Sequence, residues 1–189
     1  MKKSISASNN FCPQTLFLYG TYKEDGSPNF GLFCWFSYYW DSELGVMACI
    51  GGEKLTKERI HATKVFSANL VTEDMLPLAD YLGSAGKHSK SNIVTEIEKG
   101  SILDVPILKK SPWVFELEVH QSIITKDGEV FLCKIRNVLV DESLCNDSLS
   151  HEEKIKIIKP AQTVGGTYFG WDGNAIGLWG EPMMKVPQA

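Results

Sequence analysis

Three apolar runs joined by very short breaks open this chain, and they leave little freedom in how it can fold. Leu16 to Tyr22 is rich in aromatic and β-branched residues and ends at the turn cluster Asp25-Gly26-Ser27-Pro28. Phe30 to Trp40 reads as a second strand, Asp41-Ser42-Glu43 as a polar break, and Val46 to Ile50 as a third strand. A parallel pair needs a crossover of a dozen or more residues, so neighbours joined this closely are antiparallel. The same shortage of chain disfavours a doubly wound αβ fold. With Val65 to Val71 and a later hairpin, six or more strands and a few short helices predict a mainly β, antiparallel fold, a small closed barrel.

The helical signals are few. Thr56 can cap a short helix through Thr63, with Glu58 in its first turn and Ile60 facing inward. A second helix is expected over Met75 to Leu82, stopped by Gly83; Pro77 is tolerated only near its start, which favours Asp74 over Thr72 as cap. Gly83 to Asn92 is small, polar and basic and reads as a loop, and Asn92 to Lys99 as a helical turn or two. Ser150-His151-Glu152-Glu153 is a capping box for a helix through Ile158, stopped by Pro160. From Thr163 to Gly180 glycines alternate with aromatics in a pattern that fits no single element.

Between Trp113 and Val140 the pattern is that of a hairpin. Trp113, Phe115, Leu117 and Val119 form a core face, while Val114, Glu116, Glu118 and His120 form a largely wet one. A three-residue loop, Lys126-Asp127-Gly128, with Gly128 in a left-handed bulge, sets Val119 opposite Ile135 and Glu118 opposite Arg136.

Composition narrows the function classes. In 189 residues, 43% hydrophobic and 22% charged, there is room for one full core, so a single domain over 1–189 is expected, with 1–12 as a loose N-terminal arm. A formal net charge of -4 without a basic cluster gives no nucleic-acid surface. No apolar run reaches membrane-spanning length, and polar residues after Met1-Lys2-Lys3 leave no signal-peptide core. Five cysteines without a C-x-x-C pair fit a reducing, cytoplasmic setting.

The chemistry-bearing residues are sparse. The four histidines show no metal-ligand spacing and read as surface or helix-end residues; His88, beside Lys87 and Lys90, is the one placed to touch a ligand. Gly83-Ser84-Ala85-Gly86 lacks the spacing of a nucleophile elbow, and Gly52 to Thr56 is not a Walker loop. Gly51-Gly52-Glu53-Lys54-Leu55-Thr56 nonetheless gathers free amides, a lysine and a threonine hydroxyl at one helix start, which is a ready anion site. With so many aromatics just upstream, a planar cofactor bearing a phosphate suits it.

The order Asp25-Gly26-Ser27-Pro28-Asn29, the strand with Trp35 and Ser37, Lys54-Leu55-Thr56 with Ile60, and Thr63 to Asn69 resembles the flavin reductase-like, FMN-binding split-barrel family that includes flavoredoxins. Ala79 to Ser84 and Gly86-Lys87 are similar to that family's segment after the second helix, so the resemblance spans Gln14 to Val140. It implies an antiparallel split β-barrel of the FMN-binding type, a homodimer with one FMN per subunit near the interface. Asn29 counts among the cofactor-binding residues, and Cys34, Trp35, Phe36 and Ser37 would line the isoalloxazine edge. Gly51, Gly52 and Glu53 would run beside the ribityl chain, and Lys54 and Thr56 would meet the phosphate. Ser84, Gly86 and Lys87 would close over the cofactor, while Glu53 would oppose the phosphate if it pointed inward. The implied activity is NAD(P)H-dependent reduction of bound FMN with onward transfer to a flavin or other acceptor, and no catalytic side chain is required because flavin carries the chemistry. The alternatives are a non-catalytic FMN-binding or electron-transfer protein, and a split-barrel relative with another cofactor such as heme.

Overall fold

The run expected as one strand, Phe30 to Trp40, is broken at Cys34 and Trp35, and that break shapes the molecule. The computed structural model describes residues 1–84 and 96–185. In chain order the elements are β1 (Gln14–Thr15), β2 (Phe17–Tyr22), β3 (Pro28–Phe33), β4 (Phe36–Asp41), β5 (Glu43–Gly51), α1 (Leu55–Thr63), β6 (Val65–Leu70), α2 (Leu76–Ser84), β7 (Ile97–Lys99), β8 (Pro106–Leu108), β9 (Trp113–Ile124), β10 (Gly128–Val140), α3 (His151–Ile158), β11 (Gln162–Val164), β12 (Thr167–Phe169) and β13 (Ala175–Leu178).

Seven strands form one antiparallel sheet in the order β3-β2-β6-β9-β10-β5-β4. Its two edge strands, β3 and β4, are consecutive in the chain, with only Cys34 and Trp35 between them. The sheet therefore has to curl until its edges meet at this corner. The closed barrel expected from the sequence is corrected accordingly: among the described residues no ladder joins β3 to β4. The Cys49 amide donates to the Trp35 carbonyl at 2.9 Å, so the chain leaves β3 and is captured by β5 instead of continuing beside β2.

Inside the curl, Phe17, Tyr19, Phe66, Leu117 and Phe131 are buried, and each such side chain contributes about 1.5–3 kcal/mol by leaving water. Phe17 stacks on Phe36 across the corner at 4.1 Å, and Tyr19 on Phe33 at 4.6 Å. A second cluster packs α2, through Leu76, Ala79 and Leu82, onto Leu18, Phe30 and Tyr168. The glycine-aromatic tail resolves into a small sheet, β1-β11-β12-β13. Among the described residues no helix is long and apolar enough to cross a membrane.

Local expectations fare unevenly. The Ser150 capping box is present, with the Glu153 amide donating to Ser150 Oγ at 3.2 Å. The second helix instead enters through a 3-10 turn, Glu73–Met75, whose cap position is Thr72, and runs on to Ser84. Gly83 lies within that helix because α2 presses on β3: a Cβ there would come 2.8 Å from Leu32 Cβ. The helical turn expected over Asn92 to Lys99 is corrected where it is described, since Ile97–Lys99 is β7, paired with β8.

The hairpin register also differs. Val119 faces Cys133 and Glu118 faces Lys134, with His120 on β9 and Arg136 on β10 left over as bulges. The bulged Arg136 still bonds the Glu118 carboxylate. Gly128 is not left-handed; it pairs with Gly51 of β5, where a Cβ would sit 2.9 Å from the Ile50 carbonyl oxygen. Its missing side chain serves strand approach, not the turn. Glu116, expected on the wet face, is fully buried and accepts hydrogen bonds from the amides of Ser101, Ile102 and Leu103 and from Asn137.

Candidate functional site

The corner between β3 and β4 opens into a cavity of about 410 Å3, within the rough 300–1,000 Å3 range of small-molecule sites. Leu32, Cys34 and Trp35 supply one wall from the corner, Cys49 and Gly51 continue it along β5, and Lys54 stands where α1 begins. Gly83 of α2 and Thr163, Gly165, Gly166, Tyr168 and Trp179 from the tail complete the enclosure. Asn9 also reaches it, from the segment expected to be a loose arm.

Lys54, not Thr56, is the cap residue of α1, and its side chain makes no capping bond. The first intrahelical bond runs from the Glu58 amide to the Lys54 carbonyl, so the amides of Leu55, Thr56 and Lys57 precede the ladder. The Lys54 ammonium, with the partial positive charge of the helix start that follows it, therefore stands where the chain borders the cavity at Lys54. Thr56 is buried behind it: its hydroxyl accepts from Asn29 Nδ2 at 3.0 Å, and the same amide reaches Thr21 Oγ1 at 3.2 Å. Asn29 and Thr56 thus fix α1 against β2 and β3 and do not line the cavity.

Glu53 pairs with Lys57 at 2.7 Å, its side chain 93% exposed, and it does not line this cavity. With Gly52, whose φ of 64° is left-handed, it borders a separate cavity beside the β9–β10 turn. Phe36 and Ser37 lie on a third cavity with Tyr38 and Trp113. Ser84 sits at the end of α2, where its Oγ accepts from Trp179 Nε1 at 2.8 Å. Gly86, Lys87 and His88 fall outside the described residues.

Of the residues singled out in the sequence, the cavity brings together Cys34, Trp35, Gly51 and Lys54. Leu32 and the tail residues were not pointed to by any motif; the interleaved glycines and aromatics after Thr163 were the only signal of the tail wall. Burial pushes the Cys34 and Cys49 thiols up, and Cys133 behind them up to about 12, so all three are neutral thiols near pH 7. Among the described residues no group of three or more His, Cys, Asp or Glu could hold a metal ion. The arrangement suits an elongated ligand with an anionic end at Lys54 and a flat apolar body against Trp35 and Leu32.

The family model for the flavin reductase like domain matches residues 9–156. No curated protein sequence matches this one. Among solved structures, a flavoredoxin from Methanosarcina acetivorans is 20% identical with a TM-score of 0.78, covering 95% of this chain and 97% of its own. The flavoredoxin of Desulfovibrio vulgaris (Miyazaki F) is 24% identical with a TM-score of 0.75, covering 90% and 93%. The styrene monooxygenase flavin reductase of Pseudomonas putida S12 is 14% identical with a TM-score of 0.67, covering 88% and 93%. At these identities the likeness is one of fold.

Proposed function

This chain belongs to the flavin reductase-like family, and on that premise we propose that its corner cavity holds FMN and that the protein is an NAD(P)H-dependent flavin oxidoreductase. The observation that carries this reading is one cavity with Lys54 and the uncapped start of α1 at one end and the apolar Trp35 wall beside it. The residues fit the cofactor. A phosphate dianion matches the Lys54 ammonium and the leading amides of α1 through charge-assisted bonds. A flat ring matches Leu32, Trp35 and the neutral thiols of Cys34 and Cys49, which add no charge to its surroundings.

Bound flavin would supply the hydride and electron chemistry. The chain's own part is then to bind, orient and exclude water. A homodimer belongs to the same proposal. Cys49, Val130 and Ile123 form one cross-strand row, and Met47, Leu132 and Gln121 the next, on the outer face of β5, β10 and β9. Trp35, Met47 and Ile123 are exposed there, an apolar patch beside the cavity suited to a second copy.

The deciding experiment is reconstitution with excess FMN, desalting, a visible spectrum, and anaerobic addition of NADH and then NADPH. Retained flavin that bleaches with either nucleotide is the expected result. A colourless protein, or a heme Soret band in its place, overturns the FMN assignment. Retained flavin that neither nucleotide bleaches leaves a binding or electron-transfer protein and overturns the oxidoreductase.

A further inference from the structure

The cavity has two walls of different origin. Cys34, Trp35, Cys49, Gly51 and Lys54 lie inside the span matched by the family model, residues 9–156. Thr163, Tyr168 and Trp179 lie beyond it, yet they close the same cavity from the other side. The second wall thus comes from residues outside the span of the family model.

It is also firmly held. Asp80 of α2 is fully buried, and its carboxylate accepts from the Tyr168 hydroxyl at 2.7 Å and from the amides of Gly180 and Met183 at 3.0 Å each. A buried carboxylate is costly unless its lone pairs are used, so three donors from one segment make Asp80 a strong attachment point for it. Trp179 is fastened at two further atoms: Nε1 donates to Ser84 Oγ at 2.8 Å, and its amide to the Gly166 carbonyl at 2.9 Å. Clamped in this way, Trp179 stays 65% exposed while lining the cavity, and Trp35 is 52% exposed on the same cavity. Trp179 therefore presents a large aromatic side chain at the cavity in a position fixed by hydrogen bonds, a ready platform for a planar ring.

Building on the proposed FMN site, we propose that Trp179 is a specificity-determining residue that receives a second planar aromatic ring in the cavity. The ring is either the nicotinamide of the electron donor or that of an aromatic acceptor. In this division Lys54 and the corner hold the cofactor, and Trp179, on the tail wall of the same cavity, selects the reaction partner.

The test uses the FMN-loaded protein in wild-type, W179F and W179A forms. FMN dissociation constants are measured by flavin fluorescence, and binding of NAD+, NADP+ and 4-nitrobenzoate by calorimetry. W179A should weaken at least one ring ligand tenfold or more and W179F should restore it to within about threefold, as expected for loss and return of an aromatic face. FMN affinity should stay within about threefold throughout. Weakening confined to the nucleotides identifies the donor ring, and weakening confined to 4-nitrobenzoate the acceptor ring; either supports the proposal. Unchanged binding of all three ligands overturns it, and so does FMN loss in W179A that equals the loss of ring ligand. Wild-type protein that takes up no FMN overturns the site reading as well, which separates the two failures.

Discussion

The Tyr168 hydroxyl donates to Asp80 Oδ1 across 2.7 Å, joining two residues 88 positions apart and tying β12 to α2. Burial, and then the Asp80 carboxylate, holds the Tyr168 hydroxyl well above the ordinary tyrosine range, so it remains a donor wherever the protein is folded. Tyr168→Phe keeps the ring in its cluster and removes only this bond. A hydrogen bond to a charged group is worth about 1.5–3 kcal/mol, and that is the expected loss in urea unfolding. The tail should also become more sensitive to limited proteolysis. A loss below about 0.5 kcal/mol would show that the amides of Gly180 and Met183 satisfy Asp80 without it.

Lys54→Ala should weaken FMN binding by about 1.5–3 kcal/mol, roughly tenfold to 150-fold in dissociation constant. Lys109→Ala serves as the comparison, because Lys109 pairs with Glu96 at 3.0 Å, outside the cavity lining, and should leave binding unchanged. Flavin fluorescence titration of both variants decides it. Equal dissociation constants would remove Lys54 from the phosphate end.

What was legible beforehand follows from how local each cause is. The Asp25 turn is closed by its own carboxylate, which takes the Ser27 amide at 2.9 Å, and the Ser150 capping box is complete within four residues. Both could be read from neighbouring letters. The corner at Cys34 and Trp35 carries neither glycine nor proline, because the bend is made by Cys49 reaching the Trp35 carbonyl from another strand. The hairpin register was missed for the same kind of reason: Gly128 is needed against Gly51, and the bulges at His120 and Arg136 have no sequence signature. Within the site, Lys54 and Trp35 stood out by order and spacing. Trp179 did not, since what makes it a wall is Asp80 and Ser84, about a hundred residues earlier in the chain.

Glu116 gives the stability a specific dependence on pH. Burial pushes its carboxyl up, but hydrogen bonds from the Leu103 amide, Asn137 and the amides of Ile102 and Ser101 outweigh that and hold it below the ordinary glutamate range. A folded value below the unfolded one, about 4.3, means the unfolded chain takes up the proton first as pH falls. The contribution is complete above about pH 4.3 and is lost as pH drops through the folded value. Glu116→Gln puts an amide where the loop presents donors, and should cost about 1–3 kcal/mol at pH 7. Urea unfolding at pH 7, 4.5 and 3.5 should show the gap between wild type and variant narrowing below pH 4.3. A constant gap would mean the carboxylate charge is not what the loop amides stabilise.

The outer face of β5, β9 and β10 gives the last prediction. Met47 and Ile123 are 38% and 50% exposed, and the cross-strand rows that contain them place Val130 and Leu132 between them. A stable interface buries about 800 Å2 per partner around a depleted-charge centre, and neither of these two rows carries a charged residue. Light scattering at micromolar concentration with FMN present should therefore give twice the monomer mass. Met47→Glu places an unpaired charge at the centre of that contact, and an uncompensated buried charge costs roughly 3–5 kcal/mol. The dimer dissociation constant should rise at least a hundredfold, while the folded monomer, where position 47 faces water, should unfold at nearly the same urea concentration. A wild-type monomer would contradict the assembly, and a Met47→Glu dimer of unchanged affinity would place the interface on another face.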